Sequence, residues 1–224
     1  MTFSIVARCA GTGRFGVAIS SSSPAVAARC AFARAGIGAV ASQNVTNPAL
    51  GTDVLERMAR GKGAAEAVAA AIAGEPFPDY RQLLAIDARG ESAIHSGRRA
   101  LGTWSEARGA DCAAGGNLLA DAGVPAAMVA AFETARGALG DRLIAAMQAG
   151  LAAGGEAGPV HSAGLLLVDR EAWPYAELRC DWSEDDPIAA IAAAWEVYAP
   201  QADDYVTRAR NPAAAPSYGV PGDT

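Results

Sequence analysis

The sequence predicts an α+β fold of four layers, two antiparallel sheets stacked face to face with helices on both outer sides. Three observations carry this. Strand-like segments come as hairpin pairs, helices also come as pairs, and the two kinds of pair alternate along 224 residues. Single helices joining single parallel strands, the pattern of doubly wound and barrel folds, are absent. A chain of this length is expected to form one domain with one large core, here residues 1–199, with 200–224 as a C-terminal arm.

The elements follow in order. Residues 2–8 are β-branched or aromatic with loose alternation, a strand at the very start. Gly11-Thr12-Gly13 turns it into a returning strand over 14–21. A polar run, Ser20 to Pro24, leads into an Ala-rich stretch at 25–35, and 36–43 reads as a third strand. Helices are expected at 50–60, after Asn47-Pro48, and at 64–73, ending at Gly74. Pro76 and Pro78 mark a loop. A strand pair, 81–87 and 91–96, is followed by a short strand at 111–116. Two amphipathic helices, 124–136 and 138–153, are separated by Gly137. A last hairpin pairs 162–169 with 175–181. Asp185-Asp186-Pro187 then supplies an N-cap and an N1 proline for a helix at 187–197. No internal repeat is present. The tail from 200 has the composition of a loosely docked segment, with Tyr205 and Tyr218 as its anchors.

Composition narrows the function classes. Hydrophobic residues make up 51% and aromatics 6%, so the core is built largely from Ala, Val, Ile and Leu. A net charge of −6 without any Lys/Arg run argues against nucleic-acid binding, which needs a basic patch. The apolar stretches are too short and interrupted to span a membrane. No basic n-region with an apolar h-region opens the chain, so a cytoplasmic location is expected. Cys9, Cys30, Cys112 and Cys180 show no C-x-x-C spacing, and His95 and His161 are the only histidines. A metal site is therefore not expected, nor is a cofactor, and the cysteines read as reduced thiols.

The element order, together with a threonine opening the first strand, resembles the proteasome-type N-terminal-nucleophile (Ntn) hydrolases. More closely, the stretches TFSIVAR, AGIGAVASQNVTNPALG, IDARGESAIHSG, AAGGNLL and AAGGE, with the tail YVTRARNPAAAPSYGVPGD, resemble an uncharacterised bacterial and archaeal family, domain-of-unknown-function family ten-twenty-eight. The resemblance covers nearly the whole chain and implies an Ntn-hydrolase-like αββα sandwich without an established substrate. A peptidoglycan-related role is suggested for that family because some members resemble fusions with a peptidoglycan-binding domain. No such extra domain is found here. The resemblance further implies that the strand end running to Gln43 and Asn44 supplies an oxyanion amide, and that Gly115-Gly116-Asn117 is the glycine-rich turn beside the nucleophile.

The candidate nucleophile is Thr2. A threonine hydroxyl is weak at its free pKa, and Ntn enzymes use the residue's own α-amine, with a pKa of about 8, as the base. The chemistry therefore needs Met1 removed. Proteasome-type sites also use a lysine, but Lys62 is the only one and sits in a Gly-Lys-Gly helix link. Arg34 falls closer to the implied cation position, with Arg29 as the other option. An arginine supplies charge but does not shuttle protons. Glu156, after a Gly-Gly pair, could orient the nucleophile or its amine. Asn117, Gly115, Gly116, Gln43 and Asn44 are oxyanion candidates. His95 at a strand end is a substrate-site candidate, although a lone histidine there is more often structural.

Competing readings are weaker. Ser21, His95 and Asp87 make a triad on paper, but no G-x-S-x-G elbow supports it. Cys9 and Cys112 are alternative nucleophiles without a neighbouring histidine. Gly11-x-Gly13-x-x-Gly16 matches a dinucleotide fingerprint but lies in a hairpin turn. The leading expectation is an amide hydrolase acting on a small acyl compound. The alternative is a non-catalytic ligand-binding or scaffold protein of the same fold. A homodimer is expected as the commonest soluble assembly.

Overall fold

The computed structural model describes residues 1–221. Two antiparallel sheets form the centre. The larger has six strands in the order β10-β9-β2-β1-β8-β7, and the smaller has four, β3-β4-β5-β6. The strands are β1 (Thr2–Arg8), β2 (Phe15–Ser21), β3 (Ala31–Arg34), β4 (Gly38–Asn44), β5 (Arg81–Asp87), β6 (Ser92–Ser96), β7 (Ser105–Gly109), β8 (Cys112–Asn117), β9 (Ser162–Val168) and β10 (Ala176–Cys180). Helices α2 (Pro48–Ala59) and α3 (Ala64–Ala73) cover the small sheet. Helices α4 (Val124–Thr134), α5 (Leu139–Ala152) and α6 (Pro187–Tyr198) cover the large one. A short α1 (Val26–Cys30) links β2 to β3. The four-layer αββα sandwich expected from the sequence is what forms.

Each layer boundary is a separate apolar core, because side chains alternate along each strand. On β1, Phe3, Ile5 and Ala7 face α4 and α5 with Met128, Phe132 and Leu143. Val6, one step out of phase, packs between the sheets with Val17, Ala39, Leu84 and Ile86. On the small sheet, Val40 and Leu83 face α2 and α3 with Val54 and Leu55. The same alternation decides which polar residues reach the inter-sheet space.

The expected elements are present, with ends shifted by at most two residues. The two expected caps also form: Asn47 accepts from Ala49 N, and Asp186 accepts from Ile188 N and Ala189 N. Two strands and two helices were not expected. The Ala-rich stretch at 25–35 divides into α1 and β3, because Ala31 and Ala33 pack between the sheets while Phe32 faces α2. Alanine favours helix locally, and tertiary packing overrides it. β7 carries Glu106 and Arg108 on an edge strand and so shows no apolar alternation. Residues 202–210 form a helix, α7 (Ala202–Arg210), with Asp203 and Asp204 in its first turn and Arg208 and Arg210 in its last. Tyr205 stacks on Tyr198 at 5.6 Å, and Arg208 lies over the Tyr218 ring at 3.9 Å. Among the described residues no helix is long and apolar enough to cross a membrane.

Candidate active site

β1 is central in its sheet, paired with β2 on one side and β8 on the other. Thr2 begins it, opposite Asn117, on the face shared with Ser4 and Val6 that looks toward the small sheet. The threonine is 5% exposed. Ser21, the last residue of β2, lies beside it, with 3.4 Å between the hydroxyls. Both hydroxyls donate to the carbonyl oxygen of Met1. Ser21 Oγ in turn receives Ser23 N at 3.1 Å and meets Ser23 Oγ at 2.8 Å. Because Ser21 spends its one proton on the Met1 carbonyl, Ser23 is the donor between them. Arg29 Nη2 donates to Ser23 Oγ at 3.1 Å and to Pro24 O at 2.9 Å. A guanidinium is thus connected through two hydroxyls to a carbonyl oxygen beside Thr2, with every donor aimed the same way.

Glu156 approaches this group from the turn after α5. Gly155 N bonds Gly150 O and Gly154 N bonds Leu151 O, the Schellman pattern of a helix end. Gly154 (φ 117°) and Gly155 (φ 58°) adopt the left-handed backbone this requires. The turn is tied down by a bridge between Leu119 and Glu156. Glu156 is buried, and both its oxygens accept from Ser22 N at 3.1 Å. Burial pushes its carboxyl up to about 7, against the opposing pull of the chain's amino terminus, the Ser22 bonds and His161. His161 N donates to Ser21 O at 2.8 Å. Its Nδ1 lies 2.8 Å from Ser183 O, which assigns the proton to Nδ1, and its ring stacks on Trp182 at 4.4 Å.

The expected oxyanion residues belong to a different assembly. Gln43 Oε1 accepts from Ser4 Oγ at 2.7 Å, and Gln43 Nε2 donates to Gln82 Oε1 at 2.8 Å and to Gly115 O at 3.2 Å. Asn117 Nδ2 also donates to Gln82 Oε1, at 3.3 Å, while Gln82 Nε2 donates to Ser96 Oγ and Gly116 O. Gln43, Gly115 and Asn117 are therefore members of a buried amide ladder between the sheets, with Gln82 as its hub. Asn44 faces the other way from Gln43. It donates to Tyr80 O at 2.6 Å and accepts from Leu101 N at 3.1 Å, so it clamps two loops and is not a free donor.

Two further expectations are corrected by strand alternation. Arg34 shares its face of β3 with Phe32, looks toward α2, and pairs with Glu56 at 2.6 Å. His95 sits opposite Leu83, on the face of the small sheet that packs on α3, and its Nε2 lies 3.0 Å from Pro78 O. Both lie on the side of the small sheet away from Thr2. Lys62 pairs with Glu66 on the helix surface. Thr2 and Glu156 are brought together, with Asn117 alongside. The residues that sequence reasoning missed are Ser23 and Gln82, and it weighed Ser21 only for a triad. The polar run Ser20 to Pro24, directly after a strand pairing with the one that Thr2 opens, was the available signal. Among the described residues no group of three or more His, Cys, Asp or Glu could hold a metal ion.

The model of a family described as a family of unknown function (DUF1028) matches residues 2–191. A crystal structure of a protein from Silicibacter pomeroyi, matched by that same family model, is 30% identical. The match covers 88% of each chain with a TM-score of 0.82. More distant similarities are to Anbu (ancestral beta-subunit) from Yersinia bercovieri, 11% identical over 89% of this chain and 95% of that one with a TM-score of 0.37. Anbu from Hyphomicrobium sp. strain MC1 is 13% identical over 90% and 96%, with a TM-score of 0.40. No curated protein matches the sequence. With a family model spanning most of the chain and a solved member superimposing over nearly all of it, this chain belongs to the DUF1028 family.

Proposed function

We propose that this chain is an N-terminal-nucleophile amide hydrolase whose nucleophile is Thr2 once Met1 is removed. The observation that carries the reading is a carbonyl oxygen, that of Met1, held by the Thr2 and Ser21 hydroxyls next to the buried Glu156 carboxyl. An amide carbonyl is already received where a hydroxyl nucleophile, a relayed cation and a carboxyl converge.

In the proposed reaction the neutral α-amine of Thr2 takes the hydroxyl proton as Oγ1 attacks the substrate carbonyl carbon. Negative charge grows on the carbonyl oxygen, and the Ser21 hydroxyl donates to it, polarised through Ser23 by Arg29. The amine returns its proton to the leaving nitrogen, and the C–N bond breaks. Water, deprotonated by the same amine, then cleaves the ester and restores Thr2. Glu156 in its ionised form holds the amine in place. The substrate is a small acyl compound, with peptidoglycan-related amides as one class. The proposed assembly is a homodimer in the cytoplasm.

A non-catalytic reading holds if Met1 is retained, since its carbonyl then occupies both hydroxyls and Thr2 is buried. The intact mass of protein from its native host separates the two. A mass that includes Met1 sinks the Thr2 mechanism. With Met1 absent, an electrophile that traps N-terminal threonine is expected to label the wild type and to lose at least ~10³-fold in labelling rate in Thr2→Ala. Labelling that persists in Thr2→Ala places the nucleophile elsewhere.

A further inference from the structure

We infer, resting on the reading just given, that the substrate is an amide with an unbranched apolar acyl chain, held along a rim of exposed hydrophobic side chains around Thr2. The rim follows from topology. Thr2 begins β1, and the ends of β2, β4, β6 and β8, with the starts of β5 and β9, lie at the same end of the sandwich. The amide contacts of Gln43 and Gln82 with β1 and β8 fix that alignment. The loops leaving this end carry Val45, Phe77, Leu101, Trp104 and Trp182, all exposed. Among the described residues, the opposite end carries Trp173 in a loop, and Tyr205, Tyr218 and Val220 on the C-terminal arm that packs there; Tyr205 is stacked on Tyr198 and Tyr218 lies under Arg208. What sets the Thr2 end apart is that its apolar side chains ring the mouth of a polar site, which marks a place where something apolar is received.

The rim is connected to the site. The Asn44 clamp holds Val45 next to Leu101. The 101–104 segment runs beside β8's exit, where Leu118 N donates to Leu101 O and Leu119 N to Thr103 O, and Leu119 bridges Glu156. On the other wall Trp182 stacks on His161, whose N–H is bonded to Ser21. The chain itself shows what the inner end accepts. With its carbonyl on the two hydroxyls, Met1 sends its unbranched side chain along Gly158, where an added Cβ would come 3.6 Å from the terminal methyl. Removing Met1 vacates a strip suited to an unbranched chain, which the rim continues outward. A hydrophilic muropeptide would leave that rim wet and unpaired.

The test is titration calorimetry of N-acetyl-, N-hexanoyl- and N-decanoylglycine into protein that begins at residue 2, released from a ubiquitin fusion, in its Thr2→Ala form so that nothing is hydrolysed. Affinity is expected to rise roughly threefold per methylene. Trp182→Ala and Phe77→Ser are expected to weaken the decanoyl ligand about tenfold and to leave the acetyl ligand unchanged. Affinity independent of chain length overturns the inference. So does sedimentation equilibrium showing that Trp182→Ala converts a dimer to monomer, which would make a second copy the occupant. If acylglycines bind with this ladder but the Thr2-first protein neither hydrolyses them nor takes the threonine-trapping label, the nucleophile reading fails and the rim stands as an acyl-chain binding site only. If the label reacts at Thr2 but no acylglycine binds, this inference alone fails.

Discussion

Two polar clusters lie side by side at the Thr2 end, one buried and the other running from buried Thr2 and Ser21 to half-buried Ser23 and Arg29, and they are built on opposite principles. The ladder of Ser4, Gln43, Gln82 and Asn117 is neutral, and its amide groups answer one another. Its donors meet acceptors partly within the small sheet and partly on the facing sheet, so the ladder sets how the two sheets sit and has little left to offer a ligand. The cluster of Thr2, Ser21, Ser23 and Arg29 is a chain of donors all pointing at one carbonyl oxygen, and it adjoins a carboxyl whose proton affinity burial has raised. The first arrangement is closed and serves packing. The second ends on a group that is not part of the core, the carbonyl of the residue before Thr2. Polarity inside a sandwich is thus no guide to chemistry by itself; the direction in which donors point is.

Breaking the ladder is expected to give the largest stability effect. Gln82→Leu removes the acceptor for Gln43 and Asn117 and the donor to Ser96 and Gly116 O, leaving the Asn117 amide buried without its partner. A loss of about 3 kcal/mol in denaturant unfolding is expected. The threonine-trapping rate of the Met1-free protein should change less than about threefold, since no ladder amide donates to the reacting carbonyl. A hundredfold drop would mean that the ladder is part of the chemistry.

Glu156 inverts that pattern. Its folded carboxyl is raised to about 7 from 4.5, so its proton is held more tightly in the folded chain. The associated stability is fully present below about pH 4.5 and is lost as pH rises through about 7. Glu156→Gln removes the ionisation and is expected to be more stable than wild type by about 2 kcal/mol at pH 8, with the gain vanishing near pH 4.5. Thermal unfolding across that range measures it. The same variant should label more slowly at pH 8, and its rate should keep the fall set by the α-amine while losing the further fall that comes as Glu156 takes up its proton near pH 7. A group whose removal stabilises the fold and slows the reaction belongs to the site rather than to the core.

How much of this was readable in the residues follows the same division. The positions of Thr2 and Glu156 were legible because each stands at a place with local meaning, a strand start and the residue after a Gly-Gly helix end. The four layers were legible because hairpins and helix pairs leave period-2 and period-3.6 patterns. Strand β3 was hidden by alanine, whose local preference is helical, and β7 by charged residues on an edge. The ladder was hidden because Gln82 looks like one polar residue in an apolar strand, and its partners are 39, 35 and 14 residues away. For Arg34 and His95 the neighbourhood in sequence was suitable but the face of the strand was wrong, and a single-residue phase decides the face.

Arg34 therefore provides the finest discrimination between the two regions. Its guanidinium lies 2.6 Å from Glu56, with both side chains close to half exposed, on the side of the small sheet that packs against α2. The pair holds the Glu56 carboxyl below its ordinary value through that hydrogen bond and charge. Exposed pairs of this kind contribute little net stability, so Arg34→Ala should shift the unfolding midpoint little and leave the labelling rate and its pH profile at wild-type values. Arg29→Met, at the head of the Ser23–Ser21 relay, should instead slow labelling about tenfold or more with a similarly small stability cost. Arg29→Lys should recover only part of the rate, because an ammonium does not reproduce the fork that reaches Ser23 Oγ and Pro24 O together. If Arg34→Ala slowed labelling and Arg29→Met did not, the cation serving Thr2 would be the one the linear sequence suggests, and the opposite-face geometry of β3 would have to change in the Met1-free protein.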